Sequence, residues 1–201
     1  MAITKPFKPT RQQLAEAHGK TLPDVIAPNL RVLFCGINPG LYTAAVGHHF
    51  ARPGNRFWPA LYQSGFTNRL VSPCEERELL QSGIGISNVV PFATASAAEL
   101  TRDDFIAGGR RLAAKVKRHR PTVVAILGVG AYRHAFDRPK AHIGEQSERI
   151  HDARVWVLPN PSGLNANYQL PELVKLFQQL RQAVDRKMTA GKLPAHRGRL
   201  S

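Results

Sequence analysis

The chain has 201 residues, of which 43% are hydrophobic, enough for one α/β domain with its own core. Lysine and arginine number 28 against 14 acidic residues, a net charge of +14 that suits a polyanionic partner such as nucleic acid. No apolar stretch is as long as a membrane span and no secretory signal is evident, so we expect a soluble, cytoplasmic protein with no membrane partner.

The predicted secondary structure alternates between strands and helices. Four apolar runs have the content of buried strands, and they span residues 32–35, 85–90, 123–127 and 154–158. Helical spacing and capping residues predict helices over residues 11–18, 57–64, 75–81, 103–118, 131–136 and 171–186. Thr10 is a candidate cap for the first helix, and Asp103 or Asp104 for the fourth. Residues 41–56 contain Gly, His and Pro and predict a long functional loop.

The composition of the termini divides the chain into three parts. Residues 1–22 form a basic extension, residues 23–187 carry all the predicted strands, and residues 188–201 are a basic tail that we expect to be disordered. Cys35 lies in the first predicted strand and is expected to be a small core residue.

Strands that alternate with helices are typical of an α/β fold. We therefore predict a three-layer α/β/α sandwich around a central, mostly parallel four-stranded sheet. Because the carboxyl ends of parallel strands meet at one edge of a sheet, the loops that follow them are expected to form a single site. The motifs in these loops are GINPG, NVVPFAT, LGVG and NPSGLNAN.

Asn38 is the candidate reactive side chain of this site. It projects from the tight turn that Gly36, Pro39 and Gly40 impose after the first strand. An amide cannot take up a proton at neutral pH, but its carbonyl oxygen can orient a water molecule. The residues alone leave two roles about equally open, namely water positioning and capping of the turn.

A series of motifs makes the chain resemble the mismatch-specific uracil/thymine DNA glycosylases of the uracil-DNA glycosylase superfamily. In order along residues 22–186, they are GINPGL, PGNRFW, GIGISN, GGRRL, LG and LPNPSGLN. The resemblance implies hydrolysis of the N-glycosidic bond of uracil, or of mispaired thymine, after the base is flipped out of the DNA duplex. The partner would be double-stranded DNA with G·U or related mismatches or lesions, which agrees with the basic charge.

The resemblance also implies roles for the residues of the base pocket. Asn38 would position water beneath C1′ of the sugar, Ile37 would supply backbone contacts near the base O2, and Phe57 would stack on the flipped base. Asn88 is a candidate to read the Watson–Crick edge, and Thr43 to face the C5 side. The residues alone leave open helix packing for Phe57, a strand-end turn for Asn88 and a solvated hydroxyl for Thr43.

The loop after the last strand matches the wedge of the family. Gly163, Leu164 and Asn165 would enter the duplex and fill the gap that the flipped nucleotide leaves, a role that suits an exposed apolar side chain. Ser162 is expected to contact a flanking phosphate through its hydroxyl. Asn160 belongs to the same motif and is grouped with these DNA-binding residues.

The chain departs from some family members after the second strand. Pro91 and Phe92 stand where those members have charged residues, so an auxiliary carboxylate is absent. We therefore expect modest turnover and slower release of thymine than of uracil. No lysine falls in the four loop motifs, which predicts a monofunctional enzyme. His48 and His49 are adjacent and lack partners for a metal set, so neither metal nor cofactor is expected.

Two other functions stay open at this point. A non-catalytic module that recognises mismatches or lesions would keep the charge and the wedge, with Asn38 as a structural residue. A phosphate-handling hydrolase would use the Gly-rich loops, although no carboxylate cluster for Mg²⁺ is present. The preferred base is open among uracil, thymine, ethenocytosine and hypoxanthine-like lesions, and we expect a monomer.

Overall fold

A single five-stranded sheet forms the centre of the protein, whose computed structural model describes residues 8–190. The strands lie in the order β2-β1-β3-β5-β4, and all neighbours are parallel except β4, which is antiparallel to β5. The predicted α/β sandwich with a mostly parallel sheet is confirmed, but the predicted count of four strands is wrong. The strands are β1 (Val32–Gly36), β2 (Ile84–Asn88), β3 (Val123–Leu127), β4 (Gly144–Ile150) and β5 (Ala153–Leu158).

β4 has no apolar run to reveal it in the sequence. Its residues are GEQSERI, and only Gln146 and Ile150 are buried. It lies at the edge of the sheet, pairs with β5 alone, and its register shifts between Glu145 and Arg149. Pairing with β5, rather than its own hydrophobic content, therefore accounts for this strand.

The predicted helices are present, with shifts of a few residues at their ends. Thr10 caps the first helix as predicted, since its side chain accepts a hydrogen bond from the Gln13 backbone. The fourth helix begins earlier than predicted: Thr101 is its cap, not Asp103 or Asp104. The segment predicted as a helix over residues 75–81 is a 3₁₀ helix, Pro73–Ser82. The α-helices are α1 (Arg11–Glu16), α2 (Leu41–Val46), α3 (Phe57–Gln63), α4 (Arg102–His119), α5 (Val129–Phe136) and α6 (Leu170–Ala190).

Two predictions about irregular segments need correction or fall outside the structure. The prediction of a loop over residues 41–56 is wrong at its start, because LYTAAV forms α2 and the irregular part begins only after it, at Gly47. Gly47 ends α2 with a φ of 80°, a conformation that glycine adopts at little cost. The predicted disordered tail is helical over residues 188–190, and its remainder, like residues 1–7, lies outside the described residues.

The helices cover both faces of the sheet. α3 and α6 pack on one face, where Phe34 of β1 lies in a cluster of aromatic rings, and α4 and α5 pack on the other. Burial raises the pKa of the Cys35 thiol, which lies on the second face and is a core residue, as predicted. Over residues 8–190 no helix is long and apolar enough to cross a membrane.

Candidate active site

A cavity of about 370 Å³ opens at the carboxyl edge of the parallel strands. The GINPG, NVVPFAT and NPSGLNAN loops all contribute to its wall, together with residues from α2 and the segment after it. The LGVG loop lies behind the wall, where Gly128 packs against the Ile37 side chain. Ile37 itself lines the cavity, and its carbonyl accepts a hydrogen bond of 2.9 Å from the Val90 backbone.

The Asn38 side chain is held in one orientation at the cavity wall. Its Nδ2 donates to the Phe92 carbonyl at 3.2 Å and to the Thr94 hydroxyl at 2.7 Å. The Thr94 hydroxyl in turn donates to the Ser96 carbonyl, so it must accept from Asn38. These contacts identify the amide nitrogen, and Oδ1 accepts no hydrogen bond from the described residues. Asn38 therefore presents an unengaged acceptor to whatever enters the cavity.

Gly36 and Asn88 are neighbours at the floor of the cavity. They are paired across β1 and β2, which places both at the strand ends. A Cβ added at Gly36 would lie 2.5 Å from Oδ1 of Asn88 and 3.3 Å from the Phe50 ring. Only glycine therefore leaves room for these two side chains, and the Asn88 carbonyl oxygen faces the space above Gly36.

His49 holds the other end of the Asn88 amide. Its Nε2 lies 3.0 Å from the Pro23 carbonyl, which can only accept, so Nε2 carries the proton. Nδ1 is then an acceptor, and it lies 3.5 Å from Nδ2 of Asn88. Burial lowers the pKa of the His49 imidazole, an effect that the Glu76 charge partly opposes. A neutral His49 therefore favours the orientation in which Asn88 turns its oxygen to the cavity.

Phe57, the residue expected to stack on the base, does not line the cavity. It is 0% exposed and contacts the core rings of Phe34, Trp58 and Phe177. Phe50 covers it, with the two ring centroids 4.1 Å apart, and Phe50 does line the cavity. The expectation for Phe57 therefore needs correction.

The backbone at Phe50 explains how its ring reaches the cavity. Its φ of 53° lies in the left-handed region, which is rare for an aromatic residue. Phe50 stacks on Phe57 in this conformation, and a contact of this kind between two aromatic residues cannot be predicted from the local sequence.

Thr43 lies on the first full turn of α2 and faces the cavity from the side. It is 7% exposed and belongs to the cavity wall. Because α2 is a helix and not a loop, the Thr43 side chain has a fixed place there. A solvated loop hydroxyl, the alternative for this residue, does not fit that burial.

The predicted wedge loop borders the cavity and presents an apolar tip. Leu164 is 75% exposed, which is unusual for leucine. Side chains of the same loop shape its backbone: Asn160 Oδ1 accepts from the Ser162 amide, and Asn165 Nδ2 donates to the Asn160 carbonyl. The loop is thus ordered by its own polar residues while its leucine stays in solvent.

Comparison with known families decides the broad identity. The family model of the uracil DNA glycosylase superfamily matches residues 23–184. The chain belongs to this superfamily. Membership supports a DNA repair glycosylase, a hydrolase that acts on uracil in DNA. It confirms the resemblance at the level of the superfamily. The match does not extend to the mismatch-specific branch.

The glycosylase cavity is lined by neutral side chains and arginine. The described residues contribute no aspartate, glutamate or lysine to its wall, and Arg52 is exposed at its rim. Among the described residues, no group of three or more His, Cys, Asp or Glu side chains could hold a metal ion. Chemistry in this glycosylase therefore has to rest on positioning and on hydrogen bonds rather than on a charged base in the wall.

Three residues of the glycosylase site were missed by sequence reasoning. Thr94 belongs to the NVVPFAT motif, but its bond to Asn38 depends on the fold of two loops that are 56 positions apart. His49 is next to another histidine in the sequence, and its neighbours do not indicate a contact with Asn88. Phe50 lies outside the PGNRFW motif, and this motif favoured Phe57 as the aromatic residue that stacks on the base.

Proposed function

We propose that the protein is a monofunctional, mismatch-specific uracil-DNA glycosylase. It hydrolyses the N-glycosidic bond of a uracil flipped out of double-stranded DNA and leaves an abasic site. The observation that carries the proposal is the anchored Asn38 amide, which lines the cavity and whose Oδ1 accepts no hydrogen bond from the described residues.

The chemistry assigned to Asn38 is the orientation of water. Its Oδ1 accepts one hydrogen of a water molecule beneath C1′, which turns an oxygen lone pair towards the sugar. The C1′–N1 bond breaks with its electron pair going to the base, so that an oxocarbenium-like sugar and a pyrimidine anion form. Water oxygen then bonds to C1′, and its proton passes to the pyrimidine anion or to solvent, because an amide cannot hold it.

Base selection follows from the orientation of Asn88. Its Oδ1 is an acceptor, which matches the N3–H donor of uracil or thymine and repels the unprotonated N3 of cytosine. Phe50 offers the ring face for stacking in place of Phe57, and Thr43 limits the space for a group at C5. These contacts favour uracil, and we propose that thymine is released more slowly.

Two features support the remaining parts of the proposal. Within residues 8–190, no lysine amine in the cavity wall could form a Schiff base with the abasic sugar, which favours a monofunctional enzyme. The exposed Leu164 beside the cavity suits a duplex substrate, since a wedge is needed only where a base leaves a stack.

The direct test is base release from a duplex oligonucleotide with one G·U pair, read as alkali-sensitive strand breaks. Asn38→Ala should lower the single-turnover rate by roughly 100-fold or more, because a positioned group of this kind is worth that much in a transition state. Asn68→Ala makes the same chemical change at an exposed, remote position and should match the wild type. Binding to a duplex with a non-hydrolysable 2′-fluoro-uridine should survive in both variants.

A panel of duplexes then tests specificity. Uracil should be released faster from G·U than from A·U, and thymine from G·T more slowly than uracil from G·U. Wild-type protein that binds the duplex but releases no uracil would instead be a lesion-binding module. Equal rates for the wild type and Asn38→Ala would contradict the role of Asn38.

A further inference from the structure

The Arg56 guanidinium binds the backbone of the wedge loop at four places. Nη1 donates to the carbonyls of Ser162, Asn165 and Tyr168 at 3.3, 3.0 and 2.9 Å. Nη2 lies 3.4 Å from the Gly163 carbonyl, and the Arg56 amide donates to the Pro161 carbonyl at 2.9 Å. One residue thus contacts the backbone of the loop on both sides of Leu164.

The partners of the Arg56 guanidinium are backbone carbonyl groups and not carboxylates. None of the ion pairs in the described residues includes it, although ten others are present. A planar guanidinium can donate to several acceptors in a fixed geometry, which the ammonium of lysine cannot copy. The arrangement therefore depends on the shape of arginine and not only on its positive charge.

Close backbone packing fixes the loop at the same place. A Cβ added at Gly163 would lie 2.6 Å from the Gly54 carbonyl oxygen, so the wedge loop rests directly on the segment that precedes Arg56. The same segment leads into α3, whose first residue, Phe57, supports the Phe50 ring. The wedge and the base-stacking ring are therefore attached to one short stretch of chain.

We propose that Arg56 is a positioning residue for base extrusion. By holding four carbonyls it keeps the wedge loop in the shape that presents Leu164, so that little conformational entropy is lost when the leucine enters the duplex. This inference rests on the proposed glycosylase function. It assigns to Arg56 a role exerted through Leu164, with no contact to the base or to the reacting atoms.

The test is a double-mutant cycle of Arg56→Lys and Leu164→Ala on the G·U duplex. Arg56→Lys keeps the charge and should lower the single-turnover rate by about tenfold, as the loss of charge-assisted hydrogen bonds predicts. In the Leu164→Ala background the same change should have little further effect, since the wedge it positions is already gone. Arg118→Lys, at the carboxyl end of α4 and the opposite edge of the sheet, is the matched control and should be neutral.

A second variant and a second readout separate positioning from folding. Gly163→Ala should displace the loop without altering Arg56, and it should give the same loss on the duplex. The fluorescence of 2-aminopurine placed next to the uracil should rise less in both variants, because unstacking is impaired. Thermal unfolding shows whether a variant still folds. If Arg56→Lys does not fold, the rate of Gly163→Ala on the duplex tests the positioning role instead.

The possible outcomes distinguish this inference from the proposed function. Full activity of Arg56→Lys, or effects of Arg56→Lys and Leu164→Ala that simply multiply, would overturn the positioning role while the glycosylase stands. Absence of uracil release by the wild type would overturn the function itself. A loss in Arg56→Lys that disappears when Leu164 is absent supports the inference.

Discussion

The protonation state of the buried His49 imidazole affects the orientation of the Asn88 amide. Its Nε2–H donates to the Pro23 carbonyl, and its backbone amide donates to Glu76 at 2.8 Å. Protonation would place a second donor, Nδ1–H, against the donor Nδ2 of Asn88. The Asn88 amide would then lose its partner, and a flipped amide would offer N–H to the N3–H of uracil. If Asn88 reads uracil as proposed, this recognition requires a neutral His49.

The pH dependence of stability provides a measurement of this state. Burial lowers the pKa of His49 below its usual 6.5, so below that pH the unfolded chain binds a proton that the folded protein resists. The free energy of unfolding should therefore fall as the pH drops below 6.5, and this loss should be complete below the folded-state pKa. Urea titrations of the wild type and His49→Gln check this, because only the wild type has an imidazole that titrates at this position. Parallel pH profiles for the two proteins would contradict it.

At the same scale, the sequence predicted Asn38 but not the contacts that orient it. The Gly and Pro residues around Asn38 constrain a turn by their own backbone preferences, so its position at a strand end could be read locally. The choice between Phe50 and Phe57 could not, because it depends on which ring the core of α3 and α6 covers. Local patterns thus identify the loop, and tertiary packing decides which of its side chains meet a ligand.

At the scale of the elements, the segment that precedes the family match contacts the loop that orients Asn38. Residues 8–22 include α1, which packs on α2, and a stretch that pairs with the loop of Thr94. The Gly19 amide donates to the Ala93 carbonyl at 2.8 Å, and the Ala93 amide to the Lys20 carbonyl at 2.9 Å. The neighbours of Ala93, namely Phe92 and Thr94, accept the hydrogen bonds of Asn38. This segment is therefore linked to the orientation of the Asn38 amide.

Deletion of residues 1–20 should mainly lower kcat. Without the pairing at Ala93 the acceptors of the Asn38 amide become mobile, and a small misplacement of a catalytic group costs about tenfold to 100-fold in rate. A triple Lys8→Gln, Arg11→Gln and Lys20→Gln variant keeps the backbone bonds but removes three exposed charges, so it should raise KM and leave kcat near wild type. Steady-state kinetics on the G·U duplex compare the two. A truncated protein with unchanged kcat would show that the segment does not support the loop.

The elements also show where sequence patterns stop being informative. β1 and β3 are buried throughout, so their apolar runs identify them. β4 carries mostly polar residues because an edge strand is covered on little of its surface, and α2 was obscured by the glycine and proline that follow it. Hydrophobic pattern therefore predicts the central strands, whereas edge strands and short helices depend on their neighbours.

At the scale of the whole molecule, most of the positive charge lies outside the wall of the candidate active-site cavity. The net charge of +14 favours a phosphate backbone, while the cavity wall, as far as residues 8–190 form it, has no acidic or lysine side chain. Arg52 is a charged residue of this wall; it is exposed and borders both the candidate active-site cavity and the adjoining cavity of about 350 Å³ beside Leu164. We infer that Arg52 contacts a phosphate that flanks the flipped nucleotide.

Salt should therefore weaken binding without slowing the chemical step. A plot of log Kd against log salt for a 2′-fluoro-uridine duplex should have a slope of about 4 or more, as expected when four or five phosphates are neutralised. Arg52→Gln should reduce that slope by about 1, and Arg118→Gln, at the opposite edge of the sheet, should leave it unchanged. The single-turnover rate at saturating protein should stay within about twofold across the same salt range, because Arg52, the charged side chain that the described residues contribute to the cavity wall, is exposed at its rim. A rate that falls in parallel with affinity would mean that a phosphate contact also positions the sugar over Asn38. Charged side chains would then contribute to the chemical step as well as to DNA binding.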